Sequence, residues 1–340
     1  MVRGVRMFSP QSTMFEYIEK GRGYMSIDMP LESAPLSQLQ QTPIDNVLHI
    51  IDEGLVHLPT YRELYYRWER QQWRAQEIDF SGDRKQWEGM SQDDRNMRLY
   101  GLSAFFQGEA CVTDTLGPYI IAMPDEEMRI FLTTQLVDEA RHTVFFARFF
   151  KEVLGVDKEK LEDALAVARG YMNEHLKYIL IDALSEVAGH IQREPENLAR
   201  LVEGITLYHV IIEGTMALAG QRSILEFYRM NELFPAFRGG FTAVARDESR
   251  HVVFGVKFLR DMIQQDASNA RIVRDTIEKY TPIAIEGISP APEQIQIMLA
   301  NGDDPWMTPR YAQESLAKKL KVIGLSMKLP PIPPMLVQGM

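Results

Sequence analysis

The five-residue pattern Asp-Glu-x-Arg-His occurs twice in this chain, and it constrains the fold more than any other feature. The two copies are Asp138-Glu139-Ala140-Arg141-His142 and Asp247-Glu248-Ser249-Arg250-His251. The glutamate and the histidine of each copy are three positions apart. On an α-helix this spacing is about 300° of rotation and about 4.5 Å of rise, so both side chains lie on one face. Two such pairs that face each other across a helical bundle predict a dinuclear metal site.

A site of this kind needs one more glutamate from each of two other helices. Glu109 precedes the first repeat and has small neighbours, and Glu213 precedes the second repeat within an apolar stretch. An ionised glutamate among apolar residues costs several kcal/mol unless a cation or a hydrogen-bonded partner neutralises it. We therefore predict six metal ligands. They are Glu109, Glu139, His142, Glu213, Glu248 and His251.

The ligand types also indicate the metals. Oxygen-rich ligation with one imidazole per ion suits iron and manganese, whereas structural zinc favours cysteine and histidine. The same ligands suit two irons, so the sequence leaves the choice between a mixed Mn/Fe pair and a di-iron pair open.

The aspartate of each repeat has two interpretations. A metal-bound histidine usually donates its second ring N–H to a carboxylate or a carbonyl. We predict that Asp247 accepts from His142 and that Asp138 accepts from His251. The alternative is an ion pair on the helix surface between each aspartate and a nearby arginine of the repeats.

Composition excludes several classes of protein. The 340 residues are 45% hydrophobic, enough for a large core, and carry a net charge of −10. This negative charge argues against nucleic acid or an anionic membrane as a partner. The single cysteine, Cys111, excludes a framework of intrachain disulfides. No signal-type apolar segment and no apolar run of about 20 residues is evident. We therefore expect a cytoplasmic protein without a membrane span.

The periodicity of apolar residues predicts an all-α fold, since no segment shows sustained strand alternation. Thr60 and Glu63 form a capping box at the start of one helix. The predicted helices are about 45–57, 60–73, 91–119, 125–153, 158–169, 171–191, 196–229, 235–265 and 268–299, the last interrupted around Pro282 and Gly287. We divide the chain into a partly irregular extension (1–60), a helical bundle (61–300) and a C-terminal tail (301–340), which is proline-rich from Leu329.

The ligand pattern as a whole resembles one branch of the ferritin-like superfamily, which contains the small subunit of ribonucleotide reductase. Within this branch the pattern is more similar to the R2-like ligand-binding oxidases. The first ligand is Glu109, where the reductase subunit usually has aspartate, and Phe146 occupies the position of its radical-bearing tyrosine. The last tyrosine is Tyr311, whereas the reductase subunit needs a C-terminal tyrosine. The resemblance covers about residues 70–300 and implies a ferritin-like bundle that forms a homodimer.

In these oxidases, a valine three residues after the first glutamate is joined by an ether link to a tyrosine five residues before the third. Val112 and Tyr208 occupy these positions. The resemblance implies O2 activation by a Mn/Fe pair and a long-chain fatty acid in an apolar tunnel, with its carboxylate bridging the metals. It assigns Mn to Glu109, Glu139 and His142, and Fe to Glu213, Glu248 and His251.

Helical geometry places these two residues differently. Val112 lies one turn from Glu109, on the same face. Tyr208 lies roughly 140° from Glu213 on an ideal helix. We therefore predict a π-type bulge between Tyr208 and Gly220.

Four points stay open. A reductase small subunit with a metal-based radical is an alternative, supported by Trp73 at about the position of a radical-path tryptophan. Ferritin-like iron handling is a weaker alternative. Gln221 and Arg222 stand near the inferred tunnel where aromatic residues are expected, which leaves the bound ligand undetermined. His209 could reach the face of Glu213, although ordinary hydrogen bonding is the expected role.

Overall fold

The structure is a computed structural model that describes residues 31–300, 303–329 and 332. Every regular element within this part of the chain is helical, which confirms the all-α prediction. The α-helices are α1 (Leu36–Leu39), α2 (Ile44–Val56), α3 (Tyr61–Arg70), α4 (Ser81–Glu88), α5 (Gln92–Thr115), α6 (Gly117–Ala122), α7 (Glu126–Glu152), α8 (Leu161–Arg169), α9 (Glu174–Lys177), α10 (Leu184–Arg193), α11 (Leu198–Ile205), α12 (Leu218–Met230), α13 (Pro235–Gln265), α14 (Asn269–Ile288), α15 (Pro292–Ala300) and α16 (Met307–Ile323).

Two segments of π-helix interrupt the long helices. π1 (Tyr178–Ala183) joins α9 to α10, and π2 (Thr206–Ala217) joins α11 to α12. The second confirms the bulge that the sequence predicted, although the π geometry begins two residues before Tyr208. Within π2 the hydroxyl of Thr215 donates to the carbonyl of Val210, five residues earlier, at 2.7 Å.

Four long elements form the core of a ferritin-like bundle, as the sequence predicted. α5 packs along α7, and π2 packs along α13. Ser91 caps α5, and Asp125 caps α7 by accepting from the backbone N–H groups of Glu127 and Met128. These caps fix where α5 and α7 begin. They therefore fix the position along the bundle axis of the predicted ligands that these two helices carry.

Segments that flank the predicted bundle also pack onto it. α1 and α2 lie against α13, and α16 lies against π2. From the sequence, residues up to about 44 are expected to be irregular, and α16 is not predicted. α1 is a single turn, too short to show a helical period, and α16 has Pro309 in its first turn. The division of the chain at residues 60 and 300 stays a prediction. Residues 1–30 and most of the proline-rich tail lie outside the described residues.

Three sequence expectations about long helices need correction. The helix expected to reach Tyr119 ends at Thr115 and restarts at Gly117. The last long helix runs through Pro282 and breaks after Ile288. One helical stretch, 198–230, is also long and apolar enough for a membrane span, with a mean hydropathy of 1.3 in its most apolar window. Since 89% of that window is buried within the bundle, it is a core helix of this fold.

Candidate metal centre

The six predicted ligands come together at the centre of the bundle, and all are buried. Their donor atoms form two overlapping groups, each with all donors within 4.8 Å of one another. The first group is Glu109, Glu139, His142 and Glu248, and the second is Glu139, Glu213, Glu248 and His251. Glu139 and Glu248 therefore contribute to both groups. Both lie between the two positions, which adds a shared role to the one expected for each of them.

Three carboxylate oxygens surround each imidazole Nδ1. For His142 the distances are 3.2 Å to Glu109 Oε2, 3.5 Å to Glu139 Oε2 and 3.5 Å to Glu248 Oε1. Donors at right angles and about 2.1 Å from one octahedral ion lie roughly 3 Å apart, so this spacing suits a bound cation.

The second group repeats this arrangement. His251 Nδ1 lies 3.2 Å from Glu139 Oε1, 3.3 Å from Glu248 Oε2 and 3.5 Å from Glu213 Oε1. The two oxygens of Glu139 thus point to different histidines, and so do the two oxygens of Glu248. Each of these side chains has the geometry of a bridging carboxylate.

The electrostatics of the cluster also favour cations. Burial raises the pKa of Glu109 and of Glu213 well above the usual range for glutamate. Burial also acts on Glu139, but hydrogen bonds and charge from the two histidines hold the pKa of its carboxyl well below that range. Glu213 Oε2 is buried without a hydrogen-bond partner. When all four glutamates are ionised they carry four negative charges, which two divalent ions would balance, so these residues fit a dinuclear centre.

The aspartates of the repeats lie directly behind the histidines. His142 Nε2 lies 3.3 Å from Asp247 Oδ2, and His251 Nε2 lies 3.1 Å from Asp138 Oδ2. The structure thus brings together both predicted pairs. With Nε2 hydrogen-bonded to a carboxylate, Nδ1 is left to face the glutamates.

The arginines of the repeats join this network instead of competing with it. Arg250 donates to Asp138 at 2.7 Å and to Asp247 at 2.9 Å, and Arg141 also contacts both aspartates. Both aspartates are fully buried. The surface ion pair considered as an alternative is therefore wrong, and two arginines balance two aspartates in a layer outside the glutamates.

A tryptophan holds the far side of each aspartate. Trp73 Nε1 donates to Asp247 Oδ2 at 2.7 Å, and Trp68 Nε1 donates to Asp138 Oδ1 at 2.9 Å. The indole of Trp73 also stacks on the ring of His142, with centroids 6.3 Å apart. The sequence analysis singled out Trp73 and missed Trp68, which belongs to the aromatic-rich α3.

Gln135 is a second residue that the sequence analysis missed. Its Nε2 donates to the Tyr208 hydroxyl at 2.7 Å and to Glu213 Oε1 at 3.1 Å. Its Oε1 lies 3.1 Å from His209 Nε2. Gln135 precedes Glu139 by four positions, so both side chains lie on one helix face. This spacing is the sequence signal that could have identified Gln135 as a neighbour of the ligands. His209 thus contacts Gln135 through Nε2, while its Nδ1 is buried without a hydrogen-bond partner.

A cavity of about 210 Å³ reaches the glutamates from one side. Its walls are largely apolar, and Val112 lies in the wall near the carboxylates. The apolar residues of the wall include Ala104, Phe105, Leu180, Ile212, Met216 and Ile224. Tyr208 is buried close by, and its hydroxyl donates to Glu139 Oε1 at 2.8 Å. Burial and then the charge of Glu139 raise the pKa of the Tyr208 phenol well above its ordinary value.

Comparison with known proteins agrees with this geometry. The family model described as "Ribonucleotide reductase, small chain" matches residues 56–301, more than half of the chain. The chain belongs to the ribonucleotide reductase small chain family. Phe146 occupies the position at which the resemblance leads us to expect the radical-bearing tyrosine of a reductase subunit. The Phe146 ring is fully buried in an aromatic cluster, 5.1 Å from Phe145 and 5.5 Å from Phe241.

Several solved structures share the fold of this protein. A variant of an R2-like ligand-binding oxidase with an anaerobically reconstituted Mn/Fe cofactor has a TM-score of 0.68 and 23% sequence identity. A second variant, with an aerobically reconstituted Mn/Fe cofactor, has a TM-score of 0.67 and 24% identity. Each alignment covers 78% of this chain and 93% of the oxidase. At these identities the likeness shows a common fold.

The two residues that depart from the expected pattern lie in different places. Gln221 is buried in the cavity wall, as the sequence analysis anticipated. Arg222 turns away from the cavity, pairs with Asp45 at 2.9 Å and lies over the ring of Tyr311. Of these two residues, Gln221 is therefore the one that can contact a molecule bound in the cavity.

Proposed function

We propose that this protein is an O2-activating oxidase with a dinuclear Mn/Fe centre, which binds a long-chain fatty acid or a similar apolar carboxylate. The observation that carries the proposal is one largely apolar cavity whose wall contains both Val112 and the four glutamates. The related oxidase structures contain Mn/Fe cofactors. When bound, the metals supply the redox chemistry that amino acid side chains lack.

The chain itself provides the binding site and excludes water. Glu109, Glu139 and His142 would hold Mn, and Glu213, Glu248 and His251 would hold Fe, with Glu139 and Glu248 shared. An apolar chain fits the cavity walls, and its carboxylate would reach the cations at the inner end. The amide of Gln221 adds one polar position to the wall, which favours a ligand with a hydrogen-bonding group. Identification of co-purified small molecules by mass spectrometry tests this ligand class.

The oxidation that we propose joins Val112 to Tyr208 through an ether bond. The Val112 Cβ–H bond and the Tyr208 O–H bond break, and a Cβ–O bond forms. The two electrons and two protons that leave go to O2. Reduced metals, when bound, would supply the other two electrons and solvent the other two protons, so that two waters would form. The hydrogen bonds from Tyr208 to Glu139 and from Gln135 to Tyr208 hold the phenol at the centre.

Peptide mapping tests the crosslink directly. After aerobic metal loading, we expect the peptides that contain Val112 and Tyr208 to be linked, with the loss of two hydrogens. Tyr208→Phe is the matched control, because it removes only the oxygen and must prevent the link. Unlinked peptides of unchanged mass in the fully metal-loaded wild type would refute the crosslink.

The identity of the metals needs a separate measurement. Anomalous scattering at the Mn and Fe edges distinguishes a mixed pair from a di-iron pair, since both pairs suit these ligands. We expect Mn at the Glu109 position and Fe at the Glu213 position. Iron at both positions after loading with both metals would reduce the proposal to a di-iron oxidase.

A reductase small subunit with a metal-based radical is the second candidate. Its support is the relay from Trp73 through Asp247 to His142, with hydrogen-bond distances of 2.7 and 3.3 Å. This candidate requires a large subunit. Co-elution of the metal-loaded chain with a reductase large subunit, together with deoxyribonucleotide formation, would favour it over the oxidase.

We also propose that the protein is a cytoplasmic homodimer. Ile130, Val137 and Val144 on α7 are spaced seven residues apart and are 44, 49 and 48% exposed. They form an apolar row on one helix face, which a second copy would cover. For the cytoplasmic location, the support is that Cys111 is free and buried, which suits a reducing compartment.

The dimer is tested separately, by its mass in solution. Light scattering should give a dimer mass, and Val137→Glu should shift it towards the monomer. A large shell would instead favour iron storage.

A further inference from the structure

The two tryptophans behind the metal centre have different surroundings. Trp73 is buried, and it stacks on His142 and contacts the edge of Phe145. Trp68 is half-buried on α3, and its aromatic neighbours lead outwards instead. The centre therefore has one tryptophan enclosed in the core and one that faces the surface.

A row of three aromatic rings connects Trp68 to solvent. The rings of Trp68 and Tyr65 are 5.9 Å apart between centroids, and those of Tyr65 and Tyr66 are 6.1 Å apart. Tyr66 is 46% exposed and lines a surface groove together with Pro59 and Arg67. At its inner end the row continues through Asp138, which accepts from Trp68 Nε1 at 2.9 Å through Oδ1 and lies 3.1 Å from His251 Nε2 through Oδ2.

The chemistry of these side chains suits the transfer of single electrons. Indole and phenol are the side chains, apart from sulfur-containing ones, that lose one electron most readily. A phenol must also release its proton when it is oxidised, and the Tyr65 hydroxyl donates to Glu69 Oε1 at 3.1 Å. The N–H of Trp68 points at a buried carboxylate, which favours a positive charge on the indole. Trp68 and Tyr65 thus each have the partner that the oxidised side chain requires, and the exposed Tyr66 can exchange its proton with solvent.

We propose that Tyr66, Tyr65 and Trp68 form an electron-entry route from a small-molecule one-electron reductant in solution to the metal position beside His251. This inference rests on the proposed dinuclear oxidase function. It assigns the second half of the centre its own path, separate from the path through Trp73.

The electrons and protons balance in each cycle. Trp68 gives one electron to the oxidised metal site and becomes a radical cation whose N–H stays hydrogen-bonded to Asp138. Tyr65 then reduces Trp68, and its phenolic proton moves to Glu69. Tyr66 reduces the Tyr65 radical as the proton returns from Glu69 to Tyr65, and the Tyr66 phenolic proton passes to solvent. The reductant in the groove then gives one electron to the Tyr66 radical, which takes a proton back from solvent. The net change is one electron moved from the reductant to the metal site, with all three side chains restored.

The first experiment measures reduction of the oxidised, metal-loaded full-length protein by ascorbate in stopped flow. We expect Trp68→Phe and Tyr65→Phe each to slow this reduction by at least about tenfold, which is about 1.4 kcal/mol in the barrier. Tyr65→Phe is the more telling variant, because it keeps the ring and the Trp68–Asp138 hydrogen bond. Trp87→Phe and Tyr171→Phe are matched controls outside the row and should reduce at the wild-type rate.

Metal content and a second readout separate this inference from the proposed function. Every variant should bind two metals per chain; a wild type that binds none, or forms no oxidised centre, would refute the oxidase itself. In the metal-free full-length protein, radiolytic oxidation should give a tryptophan radical that decays to a tyrosine radical. Tyr65→Phe should remove that decay. Wild-type reduction rates in Tyr65→Phe and Trp68→Phe, or a slow rate in Trp73→Phe alone, would overturn the route.

Discussion

The metal centre has a first half with Glu109, Glu139 and His142 and a second half with Glu213, Glu248 and His251. The two halves use the same ligand types, but their backbones differ. In the first half, Glu109 lies on the regular helix α5, whereas in the second half Glu213 lies within the twelve residues of π2. Five positions of an α-helix leave Tyr208 roughly 140° from Glu213. With π-type hydrogen bonds five positions make about one turn, and both side chains contact Gln135. The π-helix therefore brings a phenol to the second half that has no equivalent in the first.

The two halves also differ in what covers them. α13, α14 and α16 all pack against π2, and the side chain of Lys319 on α16 is buried there. On α5, Gly108 lies at the cavity, where an added β-carbon would meet only methyl groups of Leu180 at 3.8 Å. The backbone beside Glu109 thus has free space towards the cavity, whereas the backbone beside Glu213 is backed by neighbouring helices.

The largest expected effect comes from a ligand that both halves share. Glu248→Ala should leave less than one bound metal per chain, because Glu248 places one oxygen near each histidine. Glu109→Ala should leave one metal, held beside His251. Elemental analysis of the loaded variants measures both. Equal metal content in the two variants would contradict the bridging position of Glu248.

Lys319 provides a pH-dependent comparison. Burial lowers its pKa from 10.5 to about 7. Between pH 7 and pH 10.5, Lys319 is protonated in the unfolded chain but largely neutral in the folded chain. The unfolded chain therefore binds more protons, and the free energy of unfolding of the wild type should rise as the pH increases over this range. Below pH 7 the folded protein carries the full cost of a buried ammonium.

Lys319→Met removes this buried charge and keeps the apolar stem. At pH 6 we expect the variant to be more stable than the wild type by on the order of a few kcal/mol. The advantage should shrink as the pH rises towards 10. Chemical denaturation at several pH values measures the difference. A difference that does not change with pH would show that Lys319 titrates normally in the folded state.

The smallest expected effect is on fold stability and concerns two glycines, Gly108 beside Glu109 and Gly214 beside Glu213. A β-carbon at Gly214 would lie 2.7 Å from the carbonyl oxygen of His209 and 2.7 Å from Lys319 Cε. Gly214→Ala should therefore destabilise the fold by about 1–3 kcal/mol.

Gly108→Ala is the matched control in the first half. It meets only ordinary contacts, and alanine favours a helix by about 1 kcal/mol over glycine, so stability should stay the same or rise. Denaturant midpoints of both variants test the pair. Similar destabilisation by the two substitutions would show that the halves are equally tightly packed.

The sequence by itself determined the fold class and the membership of the site. The spacing of Glu139 with His142 and of Glu248 with His251 puts each pair on one helix face, and the helical period extends over most of the chain. A buried charge needs compensation, so the sequence also indicated Glu109 and Glu213. The π-helix followed from the family resemblance, which places Tyr208 at the site, together with the mismatch between a five-residue separation and a regular turn.

Only the tertiary structure decided how the two halves share their ligands and what lies behind them. The bridging positions of Glu139 and Glu248 depend on how α7 and α13 face each other, which no local pattern records. The hydrogen bond from Trp68 to Asp138 spans 70 residues, and the one from Gln135 to Tyr208 spans 73. Contacts at such separations arise from helix packing. Local spacing assigns a side chain to a helix face, whereas the packing of the helices sets what that face contacts.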